Sequence, residues 1–289
     1  MIGVRDSRFY DSAGRHVILH GINYVNKDPK AGYLYPETPN PFDDFRRWGF
    51  NCVRLGVMWD GLEPQPGVYD EAYLRGIQRQ LELAHERGLF VFLDMHQDLF
   101  SVLYADGAPA WATADEGQPH IPGEVWSDAY MTSPAVQRAI DNFWRNAPVP
   151  GARSGNEGSG RQDHLIASWK LLAERFGKHP AVIGYDLYNE PMMGSSAPLA
   201  LSLQFARGAE LLARPYQAML AQWGDPEGRS QILRGLDDKR VYAELMEAPR
   251  RVYNEFEREA LMPFYARAAA AIRSVDSERI IFLEASMGS

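Results

Sequence analysis

The sequence predicts an α/β fold: a (β/α)8 barrel, of which roughly the first five β/α units are present. Three observations predict it. Five apolar runs have the length and continuity of strands covered on both faces, as in a parallel sheet. Amphipathic helical patterns lie between them. Each run ends in polar or charged residues, and the strand ends of a barrel are where its active site is built.

The first run is Val17 to Tyr24 and the second is Asn51 to Val57, which holds a single arginine, Arg54. The third runs from Leu89 through Leu93 straight into Asp94, His96, Gln97 and Asp98. The fourth, Ala181 to Tyr188, ends in Asn189-Glu190-Pro191, and the fifth runs from Arg279 to Ser286 and contains Glu284. Between the first two, Phe42, Phe45 and Trp48 fall at helical spacing. Tyr73 to Arg87 repeats the pattern with Leu74, Ile77, Leu81 and Ala84, and Gly88 is placed to end it. His164 to Phe176 is a third amphipathic helix, stopped at Gly177. Arg251 to Val275 is a long alanine-rich helix with a possible break at Pro263. Pro148 to Gly160, rich in glycine, proline and serine, reads as a mobile loop. Residues 192 to 240 combine a helical pattern with a charged piece and read as an insertion over the rim, of the kind that shapes substrate pockets.

Five strands do not close a barrel. An arc of five leaves an open edge and an uncovered face. The expectation is therefore that residues 1–289 form the N-terminal part of one barrel domain, which alone would aggregate or dimerise through strand five. Its oligomeric state is not fixed by the sequence. An open doubly wound sheet is the alternative, although no phosphate-binding glycine motif follows the first strand.

Composition narrows the partners. A formal net charge of -8 and a pI near 5.4 disfavour nucleic acid, which calls for a basic face. No apolar stretch is long enough for stable membrane insertion. The opening residues lack a signal peptide, so the expectation is a cytoplasmic chain or a true start upstream. The single cysteine, Cys52, lies inside a strand pattern and reads as a small buried hydrophobe. With 7 Trp and 14 Tyr, stacking platforms for sugars are available beyond what a core consumes.

Glu190 is the leading candidate for acid/base chemistry, because a buried strand fixes its backbone while the carboxyl stands at the rim. Its duller reading is a surface carboxylate opening a loop. Arg54 could be paired structurally, His96 could be a satisfied core histidine, and Asp94 and Asp98 could cap a loop. Trp144, at an apparent helix end, suits the core as well as a platform.

Taken together these residues resemble glycoside hydrolase family 5, and within it the endoglycoceramidase and glycosylceramidase branch. The signposts are the Arg54 strand, Asp94-Met95-His96-Gln97-Asp98 and Asn189-Glu190-Pro191. The stretch from Tyr104 to Thr113 and Trp126-Ser127-Asp128-Ala129-Tyr130 are more specific to the glycolipid-cleaving branch. The resemblance covers about Arg5 to Met193 and Tyr253 to Ser286, leaving the middle segment outside it. It implies a barrel that cleaves β-glycosidic bonds with retention, no metal and no cofactor, and a carbohydrate or glycolipid substrate. It maps Glu190 onto the general acid/base and Asn189 onto the residue that holds the sugar 2-hydroxyl. Arg54 maps onto the residue that positions the nucleophile. Asp94 and His96 fall on the sugar beside the cleaved bond, and Lys27 and Trp144 match two further sugar contacts loosely. The family nucleophile belongs to a seventh strand. Glu284, a second strand-end carboxylate, is a candidate by position only, since the count places it on strand five.

The chemistry is self-consistent. A retaining glycosidase needs two carboxyls roughly 5–5.5 Å apart, one protonated and one ionised. Desolvation at the end of an apolar strand would favour the protonated form of Glu190, and Arg54 would keep its partner charged. Two other functions remain open on the residues alone. One is a metal-dependent hydrolase using Asp94, His96, Asp98 and Glu190. The other is a sugar-binding fragment without turnover.

Overall fold

The computed structural model describes residues 2–150 and 159–287. Most of the glycine- and serine-rich stretch between Pro148 and Gly160 lies outside the described residues. The chain opens with a three-stranded antiparallel meander of β1 (Gly3–Arg5), β2 (Arg8–Tyr10) and β3 (His16–Val17). Five parallel strands follow, in the order β4 (Gly21–Tyr24), β5 (Cys52–Met58), β6 (Phe90–His96), β7 (Val182–Asp186) and β8 (Ile280–Phe282). This is the partial (β/α) barrel that the apolar runs predict.

The opening meander is a departure from the sequence reading. The first run is not one strand. His16–Val17 pairs backward onto β2, whereas Gly21–Tyr24 pairs forward onto β5. The chain changes sheet between them, and the Asn51 side chain satisfies the turning backbone. Its Oδ1 accepts from the His20 amide at 2.8 Å, and its Nδ2 donates to the Ile18 carbonyl at 2.8 Å. The meander packs on the lower end of the sheet, with the Phe9 ring 6.3 Å from that of Phe282 and the Phe282 ring 4.7 Å from that of Phe92, both pairs tilted.

Helices cover the outer face. They are α1 (Pro41–Arg47), the short α2 (Trp59–Leu62), α3 (Glu71–Glu86), α4 (Ala129–Thr132), α5 (Pro134–Trp144) and α6 (Arg161–Phe176). Their starts are written locally. Asn40 accepts from the Phe42 amide ahead of Pro41, Asp70 accepts from the amides of Ala72 and Tyr73, and Ser133 accepts from the Val136 amide ahead of Pro134. Gly88 follows α3 at φ +67, the left-handed position that terminates a helix cheaply with glycine. Leu74, Ile77 and Leu81 of α3 and Trp169 of α6 are fully buried, and Trp169 Nε1 donates to the Leu187 carbonyl at 3.0 Å.

Between β7 and β8 the regular elements are helices: α7 (Ala197–Leu211), α8 (Tyr216–Gly224), α9 (Pro226–Arg234), α10 (Lys239–Glu247), α11 (Arg250–Phe256) and α12 (Met262–Arg273). The first three occupy the segment read as an insertion, and α10 begins at its end. The predicted break at Pro263 is softer than expected. A single π turn over Glu257–Leu261 joins α11 to α12, and the proline sits in the first turn of α12, where its missing N–H costs nothing.

Register places the site. Arg54 pairs with Asn23 on one side and Phe92 on the other, and one step higher Asp94 lies between Gly56 and Asp186. Alternate residues share a face, so Cys52 and Arg54 line one interior with Phe92 and Phe282.

Candidate active site

The upper end of the sheet gathers charge around one guanidinium. Arg54 Nε donates to Asp186 Oδ2 at 2.8 Å. Its Nη2 lies 2.9 Å from Asp94 Oδ1, 3.0 Å from Asn189 Oδ1 and 2.6 Å from Glu284 Oε1, and Nη1 reaches Asn23 Oδ1 at 3.3 Å. Three carboxylates thus surround a single half-buried cation. Burial works against the charged guanidinium, but Asp94, Asp186 and Glu284 outweigh it and push its pKa up.

The carboxylates bear the opposite strain. Asp94 is fully buried, and that burial pushes its pKa to about 8 against the pull of Arg54. Asp186 is pushed up by burial and by the neighbouring Asp94. One oxygen of each, Oδ1, is buried without a hydrogen bond among the described residues, although Asp94 Oδ1 has the ion-pair contact to Arg54. The cluster can hold a proton at neutral pH.

Asp94 also fixes His96. Its Oδ2 lies 2.8 Å from His96 Nδ1, and burial together with the Lys27 charge lowers the imidazole to about 4. A neutral ring whose Nδ1–H donates to Asp94 leaves Nε2 as an acceptor. Lys27 stands further out, in direct contact with Asp98 and 3.7 Å from Asp106.

Glu190 is half-buried at the end of this array and sits at φ +45, a left-handed conformation that costs a non-glycine residue roughly 1–3 kcal/mol and recurs at functional sites. Its backbone is pinned on both sides. The Glu190 amide donates to Glu284 Oε2 at 2.8 Å, and Gln97 Nε2 reaches the carbonyls of Asn189 at 2.8 Å and Glu190 at 3.3 Å. Asn189 Nδ2 donates in turn to the Gln97 carbonyl at 3.0 Å. The Glu190 carboxyl has no hydrogen-bond partner among the described residues, so it is free to meet a ligand. Trp144 is one step away: its Nε1 donates to the Met192 carbonyl at 2.7 Å, and its ring packs against Tyr188, Phe256 and Phe264.

The structure therefore brings Arg54, Asp94, His96, Asn189, Glu190 and Glu284 into one connected network. Lys27 lies beside it, and Trp144 lies under the loop that follows Glu190. The four residues weighed as metal ligands do not converge. His96 and Asp98 group with Asp106 instead of Asp94 and Glu190, with ligand atoms within 4.8 Å of one another. The Lys27 ammonium already contributes a cation to that group. Sequence reasoning missed Asp186, Gln97, Asn23 and Asp106. Asp186 was legible in principle, as the one charge inside the fourth apolar run.

The Cellulase (glycosyl hydrolase family 5) family model matches residues 10–288. The chain belongs to glycosyl hydrolase family 5. Among its family relatives, Endoglycoceramidase I of Rhodococcus hoagii is 36% identical over 219 residues, covering 74% of this chain and 41% of that protein. The solved endogalactoceramidase superposes over 99% of this chain and 53% of its own at TM-score 0.65 and 27% identity. Endo-glycoceramidase II from Rhodococcus sp., captured as a lactosyl-enzyme intermediate, covers 95% of this chain and 51% of its own at TM-score 0.62 and 28% identity. The chain spans about half the length of the family 5 proteins it matches.

Proposed function

We propose that this chain carries the acid/base half of a retaining β-glycosidase that cleaves the sugar from a glycolipid. The observation that supports it most directly is Glu190: a carboxyl without a hydrogen-bond partner among the described residues, on a strained and doubly pinned backbone, at the rim of a family 5 barrel. Glu190 would protonate the departing glycosidic oxygen and later take a proton from the attacking water. Asn189, anchored through Arg54 and Gln97, would hold the 2-hydroxyl, where hydrogen bonds strengthen in the transition state. His96 would offer Nε2 to a sugar hydroxyl, with Asp94 holding the ring. Lys27 would bind further along the sugar, and Trp144 would support the wall through Met192.

Glu284 has both oxygens committed, one to Arg54 and the other to the Glu190 amide. That suits a residue that holds the acid/base in place better than one that attacks. We assign the nucleophile to the family's later strands. The glycolipid reading draws on the relatives' names, which specify ceramide-linked glycans. Residues 192–240 are proposed as an insertion within this one domain.

The test, made on a protein that includes those later strands, is release of sugar from lactosylceramide beside an aryl β-lactoside with a good leaving group. Glu190→Gln is expected to abolish the first reaction and spare much of the first half of the second. A mutant that cleaves lactosylceramide at the wild-type rate sinks the assignment. Saturable lactose binding with no cleavage of either substrate would leave a sugar-binding protein.

A further inference from the structure

The stretches Tyr104 to Thr113 and Trp126 to Tyr130 stand out in the sequence and have no part in the proposed reaction. Both converge on one buried side chain, Gln97. It sits just past the end of β6, above the point where the Asn189 amide donates to the Met95 carbonyl at 3.0 Å. Beyond that bond the Gln97 side chain continues the ladder. Its Nε2 donates to the Asn189 carbonyl at 2.8 Å and the Glu190 carbonyl at 3.3 Å, and its backbone carbonyl accepts from Asn189 Nδ2 at 3.0 Å. Successive carbonyls of a strand point to opposite sides, so one nitrogen cannot serve two of them in extended chain. The left-handed turn at Glu190, φ +45, brings both toward Gln97.

The orientation of the amide is fixed by its surroundings. Oε1 accepts from the Phe100 amide at 2.7 Å, with the Tyr130 hydroxyl 3.5 Å away. A flipped amide would face its oxygen to two carbonyls and its NH2 to an N–H. Tyr130, the end of the second stretch, is buried, and its hydroxyl accepts from the Leu99 amide at 2.8 Å. Leu99 and Phe100 are left-handed too, at φ +52 and +74, and this turn carries the Phe100 N–H back to Gln97. From the first stretch, Gly107 lies against the Gln97 stem. A Cβ there would stand 2.5 Å from Gln97 Cβ and 2.9 Å from the Phe100 carbonyl oxygen, so nothing larger than glycine fits.

We infer that Gln97 is a positioning residue for the acid/base: its amide holds the Asn189–Glu190 turn, and Tyr130 and Gly107 hold Gln97. The inference rests on Glu190 being the acid/base. Gln97 acts through the backbone of Glu190, so its loss displaces the carboxyl without removing it. A displaced acid matters where a poor leaving group has to be protonated, and little where the leaving group departs unaided.

The experiment measures kcat/KM across aryl β-lactosides of increasing leaving-group basicity, in a protein that includes the later strands. Gln97→Met keeps the length of the side chain and removes the donor. It is expected to lose about tenfold or more on the poorest leaving group and less than about twofold on the best. Gln97→Glu is closer in shape and can donate to those carbonyls only while protonated. It is expected to show the same selective loss near pH 8 and to recover part of it near pH 5, each compared with wild type at that pH. A purely structural role lowers every substrate alike, so equal losses across the series overturn the inference. An unchanged leaving-group dependence in a variant that melts cooperatively overturns it too, and so does loss of cooperative melting in both variants. Glu190→Gln, run beside them, separates the two failures. No leaving-group dependence there removes the acid/base reading itself. Dependence there and none in the Gln97 variants removes only the role of Gln97.

Discussion

Two buried carboxylate clusters in this molecule are built on opposite principles. Around Glu63, fully buried, both carboxylate oxygens have two partners each, and the one atom left over among the described residues is His164 Nε2, on the far side of its ring. Trp59 Nε1 donates at 2.9 Å, the Gly67 amide at 2.7 Å and Ser168 Oγ at 3.2 Å, and His164 Nδ1 lies at 2.7 Å. The knot ties α2 to α6, and Trp111 closes over it with its Nε1 on the Glu63 carbonyl at 3.0 Å. Around Arg54 the accounting is left open. Three carboxylates share one cation, two oxygens lack a hydrogen bond among the described residues, and two acids are pushed up in pKa. In the structural cluster every carboxylate oxygen is satisfied within the fold. A site that must meet a ligand leaves part of its polar capacity unspent.

If that contrast holds, changes at the rim should cost function, and changes at the knot should cost stability. The largest expected effect is on catalysis. In a protein that includes the later strands, Glu190→Gln should lower turnover of a substrate with a poor leaving group by about 10²- to 10⁴-fold, with an unfolding midpoint near wild type. Equal damage to rate and stability would erase the distinction. Next is Glu63→Ala, which strands several buried donors and should cost about 3 kcal/mol or more in denaturant unfolding. A loss under about 1 kcal/mol would show the knot to be dispensable. Asp186→Asn keeps an acceptor for Arg54 while removing one of three crowded negative charges. Stability should stay within about 1 kcal/mol of wild type while sugar affinity falls, because Arg54 and Asn189 lose their register.

The smallest effect is a slope. Asp94 has a folded pKa near 8 against an ordinary value of 3.8. Its contribution to stability is present in full below about pH 4 and is lost as pH rises toward 8. His96 runs the other way: lowered from 6.5 to about 4, its contribution is present above 6.5 and is lost as pH falls through 4. Urea midpoints at pH 5 and pH 8 for wild type and Asp94→Asn isolate the first of these. The wild type should lose more than the mutant between the two, and parallel losses would assign the slope elsewhere.

The sequence showed the barrel because a strand covered on both faces has to be continuously apolar, and Leu89 to Leu93 or Ala181 to Ile183 can hardly be anything else. It showed Glu190, Arg54 and the third-strand acids because charges stand out at the ends of such runs. It hid the opening meander, since Val17 and Ile22 belong to one apolar stretch and only tertiary pairing splits them. It hid Gln97 and Asp106 because their roles depend on a loop folding back, which spacing does not encode. Glu63 was invisible for the same reason: its partners His164 and Ser168 lie about a hundred residues away.

The left-handed backbone at Glu190 has a consequence for anyone breeding sturdier versions of this protein. Glycine would relax that residue, and relief of such strain commonly raises heat tolerance. A screen that rewards survival at high temperature alone would therefore favour Glu190→Gly, and its winners would be robust proteins with no acid at the strand end. Selection has to be coupled to turnover from the first round, or a strained position that is also the proposed working one will be discarded early.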